Sequence, residues 1–393
     1  MIKSEIKNKK IYWAIDIALV AVFTISMYFL IYKQAYFDGS TDRYLSDLPL
    51  HMATALDGRG YSLMASLFRC VYAIVPSKIS IILLLTVISF ATIFAVAVFL
   101  AFLLKNANDG KVLYYKYIPL ALGLMVVSTI YVPKVYPFFY SGTYLTQPWH
   151  NSTYLLMRLF GILVLLIYFK MEEQYLTKIS VKDAILFAGL LTVTNYAKPN
   201  FIIAFAPMML IYLIIDFVKT RGKSCVQNIK FGVCVLASLP ILYVQSTILY
   251  PEGGESKIVF TLGNIMGLLS DWKVIPYFVC GLLFPLVVTL LLMIKGNMSK
   301  RLWQSWVMWG ISWLQRMFLT ETGYRAGHGN FGWGVRFFSF VLIAVCAAEW
   351  IRAYKNKQLK ANEFYIGCAC LALHIVCGIY YYIYLLLGNY YMK

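Results

Sequence analysis

Apolar residues in this chain fill long uninterrupted runs instead of alternating with polar ones. Eleven runs approach the roughly 20 apolar residues that a helix needs to cross a bilayer. The pattern predicts an all-α, polytopic membrane protein in which residues 1–393 form one multi-span domain. The predicted spans are Ile11–Tyr32, Ile79–Leu104, Tyr117–Val132, Thr153–Phe169, Ala184–Ala197, Phe201–Val218, Phe231–Leu249, Val274–Ile294, Trp303–Phe318, Val335–Ile351 and Phe364–Leu387.

Composition agrees with this pattern. Hydrophobic residues make up 61% of the chain and charged residues 13%, whereas soluble domains carry about 25% charged residues. The net charge of +18 has two explanations, a nucleic-acid partner or basic cytoplasmic loops. The position of the charges distinguishes them.

Basic residues cluster in the N-terminal segment and in every second connection between predicted spans. These segments hold 21 of the 35 Lys and Arg residues. By the positive-inside rule the N-terminus is cytoplasmic and the C-terminus extracytoplasmic, and no nucleic-acid partner is implied. The first apolar run is longer than a signal-peptide core, so we expect it to be retained as a span.

The opposite connections are longer and richer in acids, aromatic residues, Gly and Pro. The first, residues 33–78, contains Asp47, His51 and the amphipathic stretch Tyr61–Val75. The others are Lys134–Asn151, Pro251–Lys273 and Thr320–Gly334. Function is therefore expected at the outer surface. The sequence has no Gly-rich phosphate cradle, so an ATP-driven machine acting alone is not expected.

Asp47-Leu48-Pro49-Leu50-His51 follows the first span. With Pro49 in the first turn of a helix, Asp47 is its N-cap and His51 lies one turn further on. This places an acid beside an imidazole at the membrane surface, and we take both residues as catalytic candidates. The alternative is a plain N-cap with a solvated histidine.

A second polar segment enters the fourth predicted span. Trp149 offers a ring to stack on a sugar, and His150 and Asn151 offer groups that bond hydroxyls. Arg158 follows inside the apolar run, where a charge is costly and normally faces a cavity or a partner. These are candidate substrate-binding residues. The alternative is an interfacial Trp anchor with a snorkelling Arg.

The turn Lys198-Pro199-Asn200 joins two spans that are too closely connected for an ordinary loop, and we expect the first of them to break there. Lys198 is suited to pairing with a lipid phosphate as a point charge, and Asn200 is a second candidate contact. The alternative is an exposed turn lysine.

The densest signal is residues 320–334, in which five glycines allow close backbone approach to a ligand. The segment and its flank supply candidate substrate-binding residues with polar or aromatic side chains: Glu321, Arg325, His328, Asn330, Trp333 and Arg336.

Two further features are expected to be structural. The stripe of Trp303, Trp306, Trp309 and Trp313 has helical spacing and is typical of packing. His374, in the last span without an acidic neighbour, is interpreted as a packed or water-bonded histidine.

Ser46-Asp47-Leu48-Pro49-Leu50-His51 and the downstream Gly60-Tyr61-Ser62-Leu63, which opens an amphipathic helix, resemble the GT-C superfamily of integral membrane glycosyltransferases. A Lys-Pro turn like Lys198-Pro199 also occurs in some bacterial relatives. The resemblance implies a polyprenyl-phosphate sugar donor delivered from the bilayer. It also implies an acidic residue, here Asp47, that acts as catalytic base or holds a divalent cation such as Mg²⁺ or Mn²⁺. Asp47 has no adjacent Asp-x-Asp or Glu-x-Asp pair.

The leading hypothesis is therefore an inverting glycosyltransferase at the extracytoplasmic face of a bacterial plasma membrane. Lys198 with Arg325 or Arg336 would hold the donor phosphate, and the acceptor would be a cell-envelope glycan, lipid or protein. Asp47, near the apolar boundary, is expected to have a raised proton affinity suited to a base. The alternatives are a flippase or transporter of lipid-linked glycans, a glycan polymerase or an O-acyltransferase.

Overall fold

The structure is a computed structural model that describes residues 2–37, 43–134, 150–175, 179–250, 254–264, 266, 274–326 and 329–389. Its α-helices are α1 (Ile2–Ala35), α2 (Leu48–Leu56), α3 (Leu63–Ile74), α4 (Lys78–Leu103), α5 (Ile118–Val126), α6 (Ser152–Glu173), α7 (Val181–Ala197), α8 (Ile202–Lys219), α9 (Cys225–Ser238), α10 (Pro240–Leu249), α11 (Val274–Ile294), α12 (Lys300–Phe318), α13 (Gly332–Lys355) and α14 (Ala361–Leu386). Short 3₁₀ turns lie at Lys105–Asn108, Tyr114–Tyr117 and Gly323–Arg325. Two strands, β1 (Ile258–Phe260) and β2 (Leu319–Glu321), pair antiparallel, with Ile258 opposite Glu321.

Long apolar helices dominate this fold, which confirms the predicted all-α polytopic membrane protein. Eight helices within the described residues are long and apolar enough to cross a membrane. They are Tyr12–Ala35, Lys78–Leu103, Ser152–Glu173, Ile202–Lys219, Cys225–Leu249, Ile275–Ile294, Gly332–Lys355 and Ala361–Leu386. Pro240 interrupts the fifth, because a proline lacks the N–H that continues a helix.

The predicted first connection contains two short helices, as expected. α2 begins at Leu48, and α3 begins after Ser62, whose side chain accepts a hydrogen bond from Ala65 N at 3.2 Å. The expected break at Lys198-Pro199 is also confirmed, since α7 ends at Ala197 and α8 begins at Ile202. α7 and α12, with 17 and 19 residues, pack in the bundle beside these eight apolar helices.

α13 is the central element of the bundle. Almost every residue of α13 is buried, because the helix packs against α11, α12 and α14. Most side chains of Tyr12–Ala35 in α1 are exposed or half-buried, so this helix lies at the periphery. Two tryptophans of the α12 stripe bond neighbouring helices: Trp306 donates to Thr289 Oγ1 at 2.8 Å and Trp309 to Ser339 Oγ at 3.0 Å. Trp303, in the same stripe, is exposed.

Ion pairs join helix ends on the basic side of the bundle. Arg301 lies 2.5 Å from Glu173, which also pairs with Lys105, and Lys300 lies 2.7 Å from Asp216. The basic connections therefore lie together, as their alternation predicts. The sequence suggested that acids concentrate on the other side of the bundle, and this expectation was too simple. Acidic residues also lie on the basic side, where they neutralise part of the basic charge. Their ion pairs hold α4, α6, α8 and α12 together.

The predicted span Tyr117–Val132 is wrong as a continuous helix. α5 has nine residues, a length of about 14 Å against a hydrocarbon core of about 30 Å. After Val126 the chain runs on without helical structure through Ser128 and Thr129, which are buried. β-branched residues are numerous in this segment, and they favour extended backbone over helix. Because the whole run is apolar, its hydropathy does not show that the helix ends at Val126.

His374 of α14 forms a hydrogen bond with the backbone of the non-helical segment that follows α5. His374 Nδ1 lies 2.7 Å from the Ser128 carbonyl, which can only accept, so Nδ1 carries the hydrogen. Nε2 then accepts from Phe284 N at 3.3 Å. Gly378, one turn away, permits this contact, since a Cβ there would overlap the Val126 carbonyl oxygen. The packed histidine expected from sequence thus joins α14, α11 and the non-helical segment.

We predict that His374→Phe lowers the melting temperature of the detergent-purified protein by several degrees. The substitution leaves a buried carbonyl and a buried amide without their histidine partners, at about 1–3 kcal/mol each. His374→Gln, which keeps one donor and one acceptor, should lose less. Equal melting temperatures for wild type and His374→Phe would contradict this account.

Candidate functional site

Asp47 is the N-cap of α2, as the sequence predicts. Its backbone carbonyl accepts from His51 N at 2.9 Å, and Pro49 lies in the first turn. The Asp47 side chain makes no capping hydrogen bond to its own helix. Both carboxylate oxygens are therefore available to the neighbouring helix.

That neighbour is the beginning of α6. Asn151 caps α6 by accepting from Tyr154 N at 3.1 Å, and its Nδ2 donates to Asp47 Oδ2 at 2.7 Å. His150 Nε2 lies 3.2 Å from Asp47 Oδ1, and the His150 carbonyl accepts from Asp47 N at 3.0 Å. Asp47 is thus fixed by two residues that sequence reasoning had assigned to a separate cluster.

These contacts reverse the expectation for the proton affinity of Asp47. Burial alone would raise its pKa, but the hydrogen bond and charge of His150, with the hydrogen bond from Asn151, lower the pKa below its usual range. Asp47 is therefore ionised throughout the physiological pH range.

His51 lies on the inner side of the same turn. Its Nδ1 lies 2.7 Å from Ser152 Oγ at the start of α6. Burial lowers the pKa of His51 to about 4, with Lys198 and His150 contributing and Asp47 opposing. His51 is consequently neutral at physiological pH and bridges α2 to α6.

Lys198 reaches this cluster from the break between α7 and α8. Its Nζ donates to Thr153 Oγ1 at 2.9 Å, and the residue is only 7% exposed. The exposed turn lysine considered as the alternative is therefore wrong. Burial lowers the pKa of Lys198 to about 7; nearby Arg336 and Arg325 lower it further, and Asp47 opposes the shift.

Trp333, at the start of α13, is the centre of an aromatic and cationic stack. Lys198 Nζ lies 5.0 Å from the ring centroid of Trp333 and Arg336 Cζ lies 4.0 Å from it. The rings of His150 and Trp333 are stacked at 6.4 Å, and Tyr154 lies at 5.1 Å. The predicted cation and ring candidates therefore meet at one place.

Glu321, at the end of β2, lies in a second carboxylate cluster. It accepts from Arg325 Nε at 2.7 Å, from Asn330 Nδ2 at 2.6 Å and from the hydroxyl of Tyr250. These hydrogen bonds lower the pKa of Glu321 although burial opposes them. Burial and the adjacent Glu321 raise the pKa of Tyr250 to about 12.

Asn200 links the two clusters by donating from Nδ2 to the Asn330 carbonyl at 2.9 Å. The polar cluster is therefore continuous from Asp47 through Lys198 and Trp333 to Glu321. Segments distant in sequence form it, at the end of the bundle opposite the ion-pair network. Their roles as catalytic or binding residues stay predictions.

Arg158 lies deeper in α6 than the cluster. It is fully buried, donates to the Leu124 carbonyl at 2.9 Å and stacks on Phe340 with Cζ 3.8 Å from the ring centroid. Leu124 is in the last turn of α5, where carbonyls lack helical partners and the helix dipole favours a cation. These contacts give Arg158 a structural role in closing the short helix.

Two predicted site residues, Trp149 and His328, lie outside the described residues. Sequence reasoning missed Tyr154 and Tyr250, which contact Trp333 and Glu321. Neither tyrosine has a local motif, and the chain contains 31 tyrosines, so no signal distinguishes them before the fold is known.

The Gly-rich segment packs partly against protein. Gly323 has a φ of +64°, and a Cβ there would lie 2.9 Å from the carbonyl oxygen of Glu255. A Cβ on Gly334 would lie 3.3 Å from Ser312 Cβ. At these positions glycine permits approach to the chain's own backbone and side chains, whereas the sequence suggested approach to a ligand.

The described side chains around Asp47 do not form a ligand set that fits a divalent cation. Both Asp47 oxygens are held by His150 and Asn151. Nowhere in the described ranges do three His, Cys, Asp or Glu residues form a group that would hold a metal ion.

No protein-family model matches this chain, and no curated protein matches it either. The site must therefore be interpreted from its own geometry.

The positions Gly323 and Gly329 provide a matched comparison of the loop. Both have positive φ, at +64° and +59°, but only Gly323 would place a Cβ against a described backbone atom. We predict that Gly323→Ala lowers the melting temperature more than Gly329→Ala, which adds only backbone strain of about 1 kcal/mol. Equal losses would show that packing against Glu255 is unimportant.

Proposed function

We propose that this protein is a membrane glycosyltransferase that moves a sugar from a polyprenyl-phosphate donor to a cell-envelope glycan, lipid or protein acceptor. The site would face the extracytoplasmic side of a bacterial plasma membrane, with the N-terminus in the cytoplasm. The proposal combines the resemblance to the GT-C superfamily with the arrangement of charges at one end of the bundle.

The observation that carries the proposal is the proximity of a cationic and aromatic subsite to an ionised carboxylate. Lys198 and Arg336 approach the ring of Trp333, and Thr153, the partner of Lys198, lies beside Asn151, which binds Asp47. A sugar phosphate needs both, since cations bind the phosphate and a carboxylate accepts from the attacking hydroxyl.

In the proposed step an acceptor hydroxyl hydrogen-bonds to Asp47 and its oxygen attacks the anomeric carbon. The bond from that carbon to the phosphate oxygen breaks, and the polyprenyl phosphate leaves with the electron pair. The hydroxyl proton passes to Asp47. Direct attack from the opposite face inverts the anomeric configuration.

A carboxylate of low pKa is a weak base, so the proton transfers late, when the new bond has largely formed and the hydroxyl has become acidic. Asp47 therefore acts first by orienting the nucleophile. His150 Nε2 lies 3.2 Å from Asp47 Oδ1 and helps to hold the carboxylate in this orientation.

The contacts of the two arginines that the sequence left as alternatives support one assignment over the other. Arg325 is bound to the Glu321 carboxylate at 2.7 Å, so its guanidinium already has an anionic partner. Arg336 shares the Trp333 ring with Lys198. We therefore assign the phosphate to Lys198 and Arg336 and give Arg325 the role of holding the loop.

We predict that Asp47→Asn lowers sugar transfer by at least about 100-fold, the usual effect of a positioned proton acceptor. The matched control is Asp57→Asn, in the same connection, where the carboxylate is exposed and pairs with Arg59 at 2.7 Å. Transfer is measured with purified protein and a radiolabelled polyprenyl-phosphate sugar. Full activity of Asp47→Asn would refute the catalytic role.

A second candidate function is movement of a lipid-linked glycan across the bilayer. It is favoured by the interrupted segment after α5, with His374 and Ser128 bonded inside the bundle, because transporters use discontinuous helices near the membrane centre. The charged residues of the described cluster lie instead at helix ends, which favours surface chemistry. Vesicles that move the lipid without any sugar transfer would favour this alternative.

A further inference from the structure

Lys198 is a buried basic residue of the cluster whose hydrogen bond goes to an uncharged group. It lies between α7 and α8, and its Nζ donates to a neutral hydroxyl, Thr153 Oγ1. No carboxylate of the described residues forms an ion pair with it. The nearest two acids have other partners: Asp47 binds His150 and Asn151, and Glu321 binds Arg325.

The groups that face Lys198 act in opposite directions on the equilibrium between its charged and its neutral amine. The acids Asp47 and Glu321 favour the ammonium form, whereas burial and the arginines oppose it. A buried ammonium without an adjacent carboxylate is costly. The facing titratable groups come from α2, the segment before α6, β2 with its 3₁₀ turn, and α13: Asp47, His51, His150, Glu321, Arg325 and Arg336.

We propose that Lys198 couples anion binding to protonation: at pH 8 its amine is largely neutral in the free protein and takes one proton from solvent when a prenyl phosphate binds beside Trp333. This inference rests on the proposed function for the choice of ligand, and it concerns how the site is regulated. A pKa of Lys198 of about 7 agrees with the geometry.

The physical reason is charge compensation. A phosphate next to Nζ supplies the negative neighbour that the empty site lacks, so the ammonium form becomes the stable one. The proton comes from water and no covalent bond changes. Because binding then requires proton uptake, the affinity must fall as the pH rises above 7, by up to tenfold for each pH unit.

The test is isothermal titration calorimetry of the full chain in detergent with farnesyl phosphate. Titrations at pH 8 in two buffers with different ionisation enthalpies give the number of protons bound per ligand. We expect close to one proton for wild type, and an affinity that weakens between pH 7 and 9. Binding without proton uptake, or no binding at all, would overturn the proposal.

Lys198→Arg is the informative variant, because an arginine is always charged. It should bind farnesyl phosphate with no proton uptake and with little change in affinity between pH 7 and 9. Lys78→Arg is the control: Lys78 lies at the start of α4 and donates to the Ala35 carbonyl, and this variant should behave as wild type. Unchanged proton uptake in Lys198→Arg would refute the assignment. If that variant does not fold, the wild-type titration still tests the proposal, because a proton count near zero overturns it.

These results are independent of turnover. Proton-coupled binding without sugar transfer to any acceptor would keep this inference and contradict the proposed transferase. Sugar transfer with no proton uptake on binding would do the reverse.

Discussion

The described site depends on the hydrogen bonds of the Asn151 side-chain amide. Its oxygen accepts from Tyr154 N and from Thr153 Oγ1 at 2.6 Å, and its nitrogen donates to Asp47 at 2.7 Å. One side chain thus begins α6, orients the hydroxyl that Lys198 binds and fixes the carboxylate of α2. Together with His150 and the His51–Ser152 contact, this side chain positions the elements that carry the two opposite charges relative to each other.

Sequence patterns predicted most of this arrangement because its local parts obey local rules. Asp47 and Pro49 form a helix start, Lys198-Pro199 breaks a helix, and alternating basic connections lie together at one end. What could not be predicted depends on contacts between distant segments. Hydrogen bonds from residues a hundred positions away lower the pKa of Asp47, and Arg158 is explained only by a carbonyl of α5.

The non-helical segment after α5 is a second feature that the sequence pattern did not predict. Hydropathy reports that residues 117–132 are apolar but not whether their backbone is helical. In a bilayer each exposed backbone group must be satisfied within the protein, and here His374 satisfies two of them. The charged residues of the described polar cluster lie at helix ends. In the bundle interior, polar groups such as His374 form hydrogen bonds with the backbone.

The central claim is that the charges gathered around Asn151 act on a polyprenyl-phosphate sugar. The most direct measurement incubates the purified protein with a panel of such donors and a cell-envelope acceptor fraction. The account predicts release of the prenyl phosphate and transfer of the sugar with at least one donor. No turnover with any donor, together with directional movement of the lipid in vesicles, would contradict it.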